Sequence, residues 1–323
     1  MLIKFIINFE HFFNIKNWLL KIFHSLNNFK SNSKTIVTIG TFDGVHIGHR
    51  YIINYLNKIA KREQGESVLL TFSPHPRFVI NREHSHLKLI DTLDEKKEKL
   101  EKLGLQNFVV QKFTKEFSRT KYVNFVRDIL VKKLNVDHLV IGYDHQFGRN
   151  REGSIKELQE LSQLYNFKVE EIPPQKKEDV SISSTKIRNL ITEGDIETAN
   201  KFLANNFIIS GTVIDGDKIG RTINYPTANI SFNKDKLIPK TGVYAVNINI
   251  LNKKFDGMLN IGVGQKKIEV HIFDFSKNIY GLDIKIEFKK LIRENIRFEN
   301  ILQLKKQLYV DEKKCREFLL SLN

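Results

Sequence analysis

Cysteine is nearly absent. Cys315 is the only one in 323 residues, so no disulfide within the chain can staple the fold. A thiol content this low suits a reducing, cytoplasmic setting. Proline is scarce too, at six residues, while 41% of the chain is hydrophobic. That balance supplies enough apolar surface for real cores and excludes global disorder. No uninterrupted apolar run approaches the roughly 18 residues of a membrane span. No small-residue cleavage site follows a clean apolar core, so a signal peptide is not expected either. Charge of one sign is the exception to this scarcity: the net charge is +15. An excess of that size fits nucleic acid, an anionic membrane surface or an anionic small substrate. Lys, Asn, Ile and Phe recur along the whole chain, which reads as composition bias. A nucleic-acid binder would interleave aromatic and basic residues on one surface, and no such tract appears.

The length suggests two domains. Residues 1–33 are dense in Phe and Ile and carry Lys4, Lys16, Lys21 and Lys30 against Glu10. They read as an N-terminal extension. It either packs on the domain, lies on a surface as an amphipathic helix, or reflects a start codon placed too early. Strand and helix patterns then alternate from Lys34 to about Ile172. Strands are expected at 35–39, 67–72, 108–110, 139–141 and 167–172. Helical spacing falls around 52–60, 93–103, 121–134 and 153–165. Such alternation predicts a parallel sheet covered by helices. A polar break at 173–179 precedes one helical stretch over 184–203. After Asn206 short β-branched and aromatic runs recur at 207–214, 225–232, 242–251, 254–261, 267–275 and 283–289. They predict an antiparallel barrel or sandwich, closed by a helix over 299–321.

The densest chemical signal is Gly40-Thr-Phe-Asp-Gly-Val-His-Ile-Gly-His49, placed where a strand ends and a helix begins. Such a junction offers backbone N–H groups and a positive helix end to a phosphate. His46 and His49, three apart, point to one spot. Zinc is the weaker reading of the pair, because the Glu and third ligand of zinc helices are missing. Two structural histidines, or two histidines facing phosphate charge, stay open on the residues alone.

That stretch resembles the H-x-G-H signature of the nucleotidyltransferase superfamily. Ile182-Ser-Ser-Thr-Lys-Ile-Arg188 resembles its second half, and Thr71–Arg77 and Ile141–Gly148 lie between the two. The set, in this order, is similar to the adenylyltransferase module of the bacterial bifunctional riboflavin kinase/FAD synthetase family. Gly211–Arg221, Tyr225-Pro-Thr-Ala-Asn229, Gly242-Val-Tyr244, Asn260-Ile-Gly262, Glu269 and Ile292-Arg293 resemble that family's kinase signature.

The resemblance implies a Rossmann-like nucleotidyltransferase domain over 34–190, a helical linker over 191–206, and an antiparallel β-barrel kinase domain with a terminal helix over 207–323. It implies phosphorylation of riboflavin by ATP to FMN, then adenylation of FMN to FAD with release of pyrophosphate. His46 and His49 would hold ATP phosphates, and Arg188 the departing pyrophosphate. Gly40, Phe42, Asp43, Gly48, Ser183, Ser184 and Thr185 would contact that ATP. His75, Asp144, Phe147 and Arg293 would face flavin or nucleotide, with core packing an equal reading for Phe147. Gly216, Gly220 and Arg221 would form the kinase phosphate loop, Thr227 and Asn229 would hold Mg²⁺, and Glu269 would be the general base. Riboflavin, FMN and ATP are the implied partners, with neither nucleic acid nor stable membrane association, and the oligomeric state stays open.

Two departures stand out. Asn224 occupies the position where the family usually has Gly, and the link from Gly262 to Glu269 is short and lacks the usual Pro-Thr. Asn tolerates a left-handed backbone, so the turn is expected to survive. The short link leaves a second reading open, in which the C-terminal domain binds flavin with weak or no kinase activity. A basic nucleic-acid binder is a third.

Overall fold

The structure is a computed structural model. It describes residues 19–80, 87–143, 147–149, 152–173, 176–177, 180–216, 220, 223–264 and 267–322. The N-terminal domain is built on six strands: β1 (Lys21–Phe23), β2 (Thr35–Ile39), β3 (Glu66–Ser73), β4 (Asn107–Lys112), β5 (Val136–Gly142) and β6 (Lys168–Ile172). They lie in the order β1-β4-β3-β2-β5-β6, and every pairing is parallel. All five residues of β2 are buried, as a central parallel strand covered on both faces requires.

The chain steps outward from β2 through β3 to β4, then returns to the other side of β2 for β5 and β6. The direction of winding therefore switches between β2 and β5. In open parallel sheets a crevice opens there, at the carboxyl ends of the strands. α1 (Ile47–Arg62) follows β2 and turns Ile53, Leu56, Ile59 and Ala60 onto the sheet at helical spacing. Further cover comes from α2 (Pro76–Ile80), α3 (Leu93–Lys102), α4 (Lys115–Ser118), α5 (Tyr122–Asn124) and α6 (Ile155–Tyr165). α5 does not run to residue 134 as a regular helix. It widens into a π-helical stretch over Phe125–Val131 that turns Phe125, Val126 and Leu130 inward.

The sheet begins earlier than Lys34. β1 pairs with the outer edge of β4, and Leu20, Leu26 and Phe29 are buried. Residues 20–29 are therefore part of the packed domain, because an uncovered β4 edge and its apolar neighbours take them in. Within the expected extension over 1–33, these residues pack on the domain. Residues 1–18 lie outside the described ones.

A two-stranded ribbon, β7 (Lys176–Lys177) with β8 (Val180–Ser181), leads to α7 (Ser184–Glu193) and α8 (Ile196–Leu203). The single helix expected over 184–203 is two. Gly194 caps α7 in the left-handed conformation (φ 90°), and the Asp195 side chain accepts from the Thr198 N–H to start α8.

The C-terminal domain is a closed six-stranded barrel of β9 (Phe207–Ile214), β10 (Ala228–Phe232), β11 (Gly242–Ile250), β12 (Lys253–Ile261), β13 (Ile268–Ile272) and β14 (Asp283–Arg293). Tyr244, Val246 and Ile248 of β11 fill the interior. Val243 and Ala245 point outward onto Cys315 and Leu319 of the C-terminal helix, Ile301–Leu320. Ile187, Ile191, Ala199 and Leu203 of the helical pair join the barrel's apolar cluster, together with Ile90 of the first domain. The residues expected as a linker thus weld the two domains through one core.

Candidate functional sites

The turn after β2 is strained. Phe42, Gly44 and Val45 all have positive φ, at 46°, 87° and 42°. A β-branched residue in that region is an outlier, and such residues persist only where surroundings over-determine them. Here the surroundings do. The Asp43 carboxylate accepts from the Ile90 and Asp91 N–H groups, both at 3.1 Å, and from Arg188 Nη2 at 2.6 Å. Ser184 Oγ donates to the Asp43 carbonyl (2.9 Å), and Lys96 Nζ to the Thr41 carbonyl (2.6 Å). Burial works to raise the Asp43 carboxyl, but Arg188, Lys96 and the two amides hold it below the usual carboxylate range.

The turn delivers two histidines to the start of α1. His46 is the N-cap residue, and its Nδ1 accepts from the His49 N–H at 3.5 Å. A neutral ring accepting at Nδ1 carries its proton on Nε2, as a donor. The two imidazoles stack at 3.6 Å, and Phe42 stacks on His49 from its other side at 4.5 Å. Burial pushes His46 down to about 4, against the pull of Asp43. Burial also takes His49 well below the usual histidine range, helped by His46 and Lys96. Both rings are therefore neutral donors near pH 7, beside the charges of Arg188 and Lys96. His49 Nδ1 is buried with no hydrogen-bond partner among the described residues. His75, after β3, feels Asp43, Arg188 and Lys96, and burial lowers it to about 4.

Several expected residues have structural duties here. Ser183 caps α7 by accepting from the Lys186 N–H (3.3 Å). Thr185 is exposed in the first turn of α7. A Cβ on Gly40 would meet the Phe42 ring at 2.9 Å, and one on Gly48 the His46 ring at 3.3 Å, so both keep the rings close to backbone. Asp43 is buried and holds Arg188 from inside the fold. Arg188 Nε also donates to the Lys88 carbonyl (3.0 Å). Phe147 packs in the core. It is 7% exposed and packs on Phe125 and Tyr122, because residues 147 and 153 bridge and fold the chain back over it. Asp144 lies outside the described residues.

The second site lies on the outer face of the barrel. Asn229 of β10 faces Glu269 of β13, which faces Asn260 of β12. Their neighbours Ala228, Ile230, Ile268 and Val270 are buried, so strand alternation turns all three polar side chains outward in one row. A Cβ on Gly216 would fall 1.8 Å from Asn229 Nδ2, so the loop after β9 lies directly on that side chain. Gly220 accepts from the Tyr225 N–H (2.8 Å), and a Cβ there would lie 3.5 Å from Thr227 Oγ1. Asn224 holds this turn at φ 66°, as Gly would. Arg221 lies outside the described residues. Across the short link the Gly262 N–H donates to the Lys267 carbonyl (3.1 Å); residues 265–266 lie outside the described ones. Arg293 is bound to Asp311 of the C-terminal helix, Nη2 to Oδ2 at 2.6 Å and Nε to Oδ1 at 2.9 Å. Its Nη1 donates to the Glu294 carbonyl (2.9 Å). Those bonds fix it against the C-terminal helix.

Sequence reading missed a set of buried charges: Asp91 with Lys99, and Glu95 with Lys236. One signal was available for Glu95. Thr92-x-x-Glu95 is a capping box, and the structure forms it.

A doubly wound nucleotide domain with a histidine pair at its switch point, joined to a closed barrel with a polar outer row, defines a two-site nucleotide-dependent transferase. Residues 28–186 match the FAD synthetase family and residues 203–319 the riboflavin kinase family. The bifunctional riboflavin kinase/FMN adenylyltransferase of Listeria monocytogenes is 38% identical over 294 residues, 89% of this chain and 93% of that one. That of Buchnera aphidicola from Schizaphis graminum is 40% identical over 304 residues, 90% and 96%. A Streptococcus pneumoniae crystal structure described as a macrolide-efflux protein is 30% identical and superposes with a TM-score of 0.84 over 92% of this chain and 99% of that one. Among the described residues no helix is long and apolar enough to cross a membrane. The chain belongs to the bifunctional riboflavin kinase/FMN adenylyltransferase family.

Proposed function

We propose that the two activities of the family are carried by the two sites separately, kinase on the barrel and adenylyl transfer at the β2–α1 turn. In the first reaction the ribityl hydroxyl of riboflavin attacks the γ-phosphorus of ATP, and ADP leaves. Glu269, half-buried on the outer row, takes the hydroxyl proton. Gly216 and Gly220 bring backbone close to the phosphates, with Asn229 and Thr227 beneath them. The donor set suits Mg²⁺. Thr and Asn supply hard oxygens, and no cluster of three His, Cys, Asp or Glu is present among the described residues, so nucleotide phosphates and water would complete the shell. When bound, that ion supplies neutralisation of the charge building on the transferring phosphoryl group.

In the second reaction a phosphate oxygen of FMN attacks the α-phosphorus of a second ATP, and pyrophosphate leaves. No protein nucleophile is needed, so the site works by positioning and charge stabilisation. Neutral His46 donates through Nε2, His49 stands stacked beside it, and Arg188, aimed by Asp43, faces the leaving pyrophosphate. The strained turn that brings His46 and His49 together carries this reading. The intact row of Asn229, Glu269 and Asn260 weighs against a silent kinase domain. A cytoplasmic setting fits the single, buried Cys315.

The test supplies each substrate separately. With riboflavin and ATP the expected products are ADP and FMN. With FMN and ATP they are pyrophosphate and FAD. Absence of pyrophosphate in the second mixture would remove adenylyl transfer from the account.

A further inference from the structure

Residues 88–92 run between the two domains, and partners on both sides hold their backbone. Toward the adenylyl-transfer site, the Ile90 and Asp91 N–H groups donate to Asp43, and the Lys88 carbonyl accepts from Arg188 Nε. Toward the barrel, the Leu89 N–H donates to the Asp235 carbonyl (2.8 Å) and the Leu89 carbonyl accepts from the Leu237 N–H (2.7 Å). Between those two bonds lies Lys236, a barrel-domain residue only 2% exposed. Its Nζ donates to the Ile90 carbonyl and to Glu95 Oε2, both at 2.5 Å, and sits 4.7 Å from the Phe207 ring centre. Glu95 is held in turn by the Thr92 N–H (2.9 Å) and, across the interface, by the Ser210 N–H (3.0 Å).

The Ile90–Asp91 segment thus has Lys236 on its carbonyl side and Asp43 on its amide side. A buried ammonium needs acceptors for its protons, and a buried peptide carbonyl needs a donor. Here each satisfies the other, and the position of Asp43 follows from the position of the amides. We propose that Lys236 is a positioning residue for adenylyl transfer: it fixes the Ile90–Asp91 segment, which orients Asp43 and through it Arg188. The second domain then does more for the first than share a core with it, since one of its side chains completes the frame of the pyrophosphate-facing arginine. The inference rests on adenylyl transfer being the chemistry of that site.

The test compares two neutral replacements of the buried pair. In a Glu95→Gln background, Lys236→Gln keeps an N–H donor for the Ile90 carbonyl, whereas Lys236→Met removes it. The probe is inorganic pyrophosphate, its affinity measured by calorimetry. Riboflavin phosphorylation on the same preparations reports that the barrel is folded. The Met pair is expected to bind pyrophosphate about tenfold more weakly than the Gln pair, with equal phosphorylation rates in both. Equal pyrophosphate affinity in the two pairs would overturn the inference. Should the Met pair not fold, Lys236→Leu in the same Glu95→Gln background takes its place against the Gln pair, with the same loss expected and equal affinity overturning the proposal. Pyrophosphate release by the parent from FMN and ATP reads the chemistry of the site. The comparison between variants reads the role of Lys236.

Discussion

Asn229 and Glu269 stand directly opposite each other on neighbouring antiparallel strands, with their side chains on the outer face of the barrel. Gly216 packs against the Asn229 side chain from above. In this arrangement the Asn229 and Glu269 side chains are one strand spacing apart, and a Cβ at the closest point of the loop over them would displace the Asn229 amide.

Asn229→Ala is therefore expected to lower riboflavin phosphorylation by on the order of 100-fold, as loss of an electrostatic stabiliser does. FAD should still form from supplied FMN. Gly216→Ala should reproduce the kinase loss with little change in thermal midpoint, because its Cβ displaces the end of a side chain rather than the backbone. Phosphorylation at the parent rate in either variant contradicts the assignment.

Removal of residues 1–30 should destabilise the first domain. It deletes β1 and the buried Leu20, Leu26 and Phe29. Burial of three such side chains stabilises by roughly 5 kcal/mol in total. Denaturant unfolding reads the loss directly, and an unchanged midpoint would mean that β1 contributes nothing.

Acid should destabilise the protein in a defined window. Buried His46 and half-buried His75 are pushed down to about 4, while histidines of an unfolded chain titrate near 6.5. Between those values the unfolded chain binds more protons, so stability falls as pH falls. It is complete above about pH 6.5, and the histidine contribution is gone below about pH 4. Each histidine contributes roughly 3 kcal/mol. Unfolding free energy measured across this range should fall less steeply in His75→Gln. An unchanged slope would mean that His75 titrates normally.

The short link closed by Gly262 and Lys267 leaves little chain to cover a ligand beside Glu269. Losing about 60 Å² of enclosure weakens binding by about 1.5 kcal/mol, roughly tenfold. Grafting a longer Pro-Thr loop between Gly262 and Glu269 should lower the KM for riboflavin with turnover little changed. An unchanged KM in a folded graft contradicts this.

Much of the fold was legible because periodicity is local. The runs at 35–39 and 207–214 became β2 and β9 with those same bounds, and the histidine turn was placed at a strand–helix junction as found. Three elements escaped for physical reasons. β1 is three residues long inside an apolar stretch without alternation, and only the free edge of β4 makes it a strand. The break between α7 and α8 was written in Gly194-Asp195, a C-cap followed by an N-cap, but the apolar spacing ran through it. Lys236 and Glu95 carry no local sign of burial, since each is buried only because the other, 141 positions away, neutralises it. Phe147 lay equally open to a ligand and to the core on its motif alone, and its contacts with Phe125 and Tyr122 are core contacts.

A single time course tests most directly whether one chain holds two separable sites. The parent and His49→Ala are each incubated with riboflavin, ATP and Mg²⁺, and FMN and FAD are separated by chromatography. In the parent, FMN should rise first and then fall as FAD accumulates. In His49→Ala, FMN should accumulate at the parent's rate while FAD formation drops by at least 100-fold, on the order expected for loss of a phosphate-facing donor. Loss of FMN and FAD together in a folded variant, or FAD formed at the parent's rate, would contradict the account.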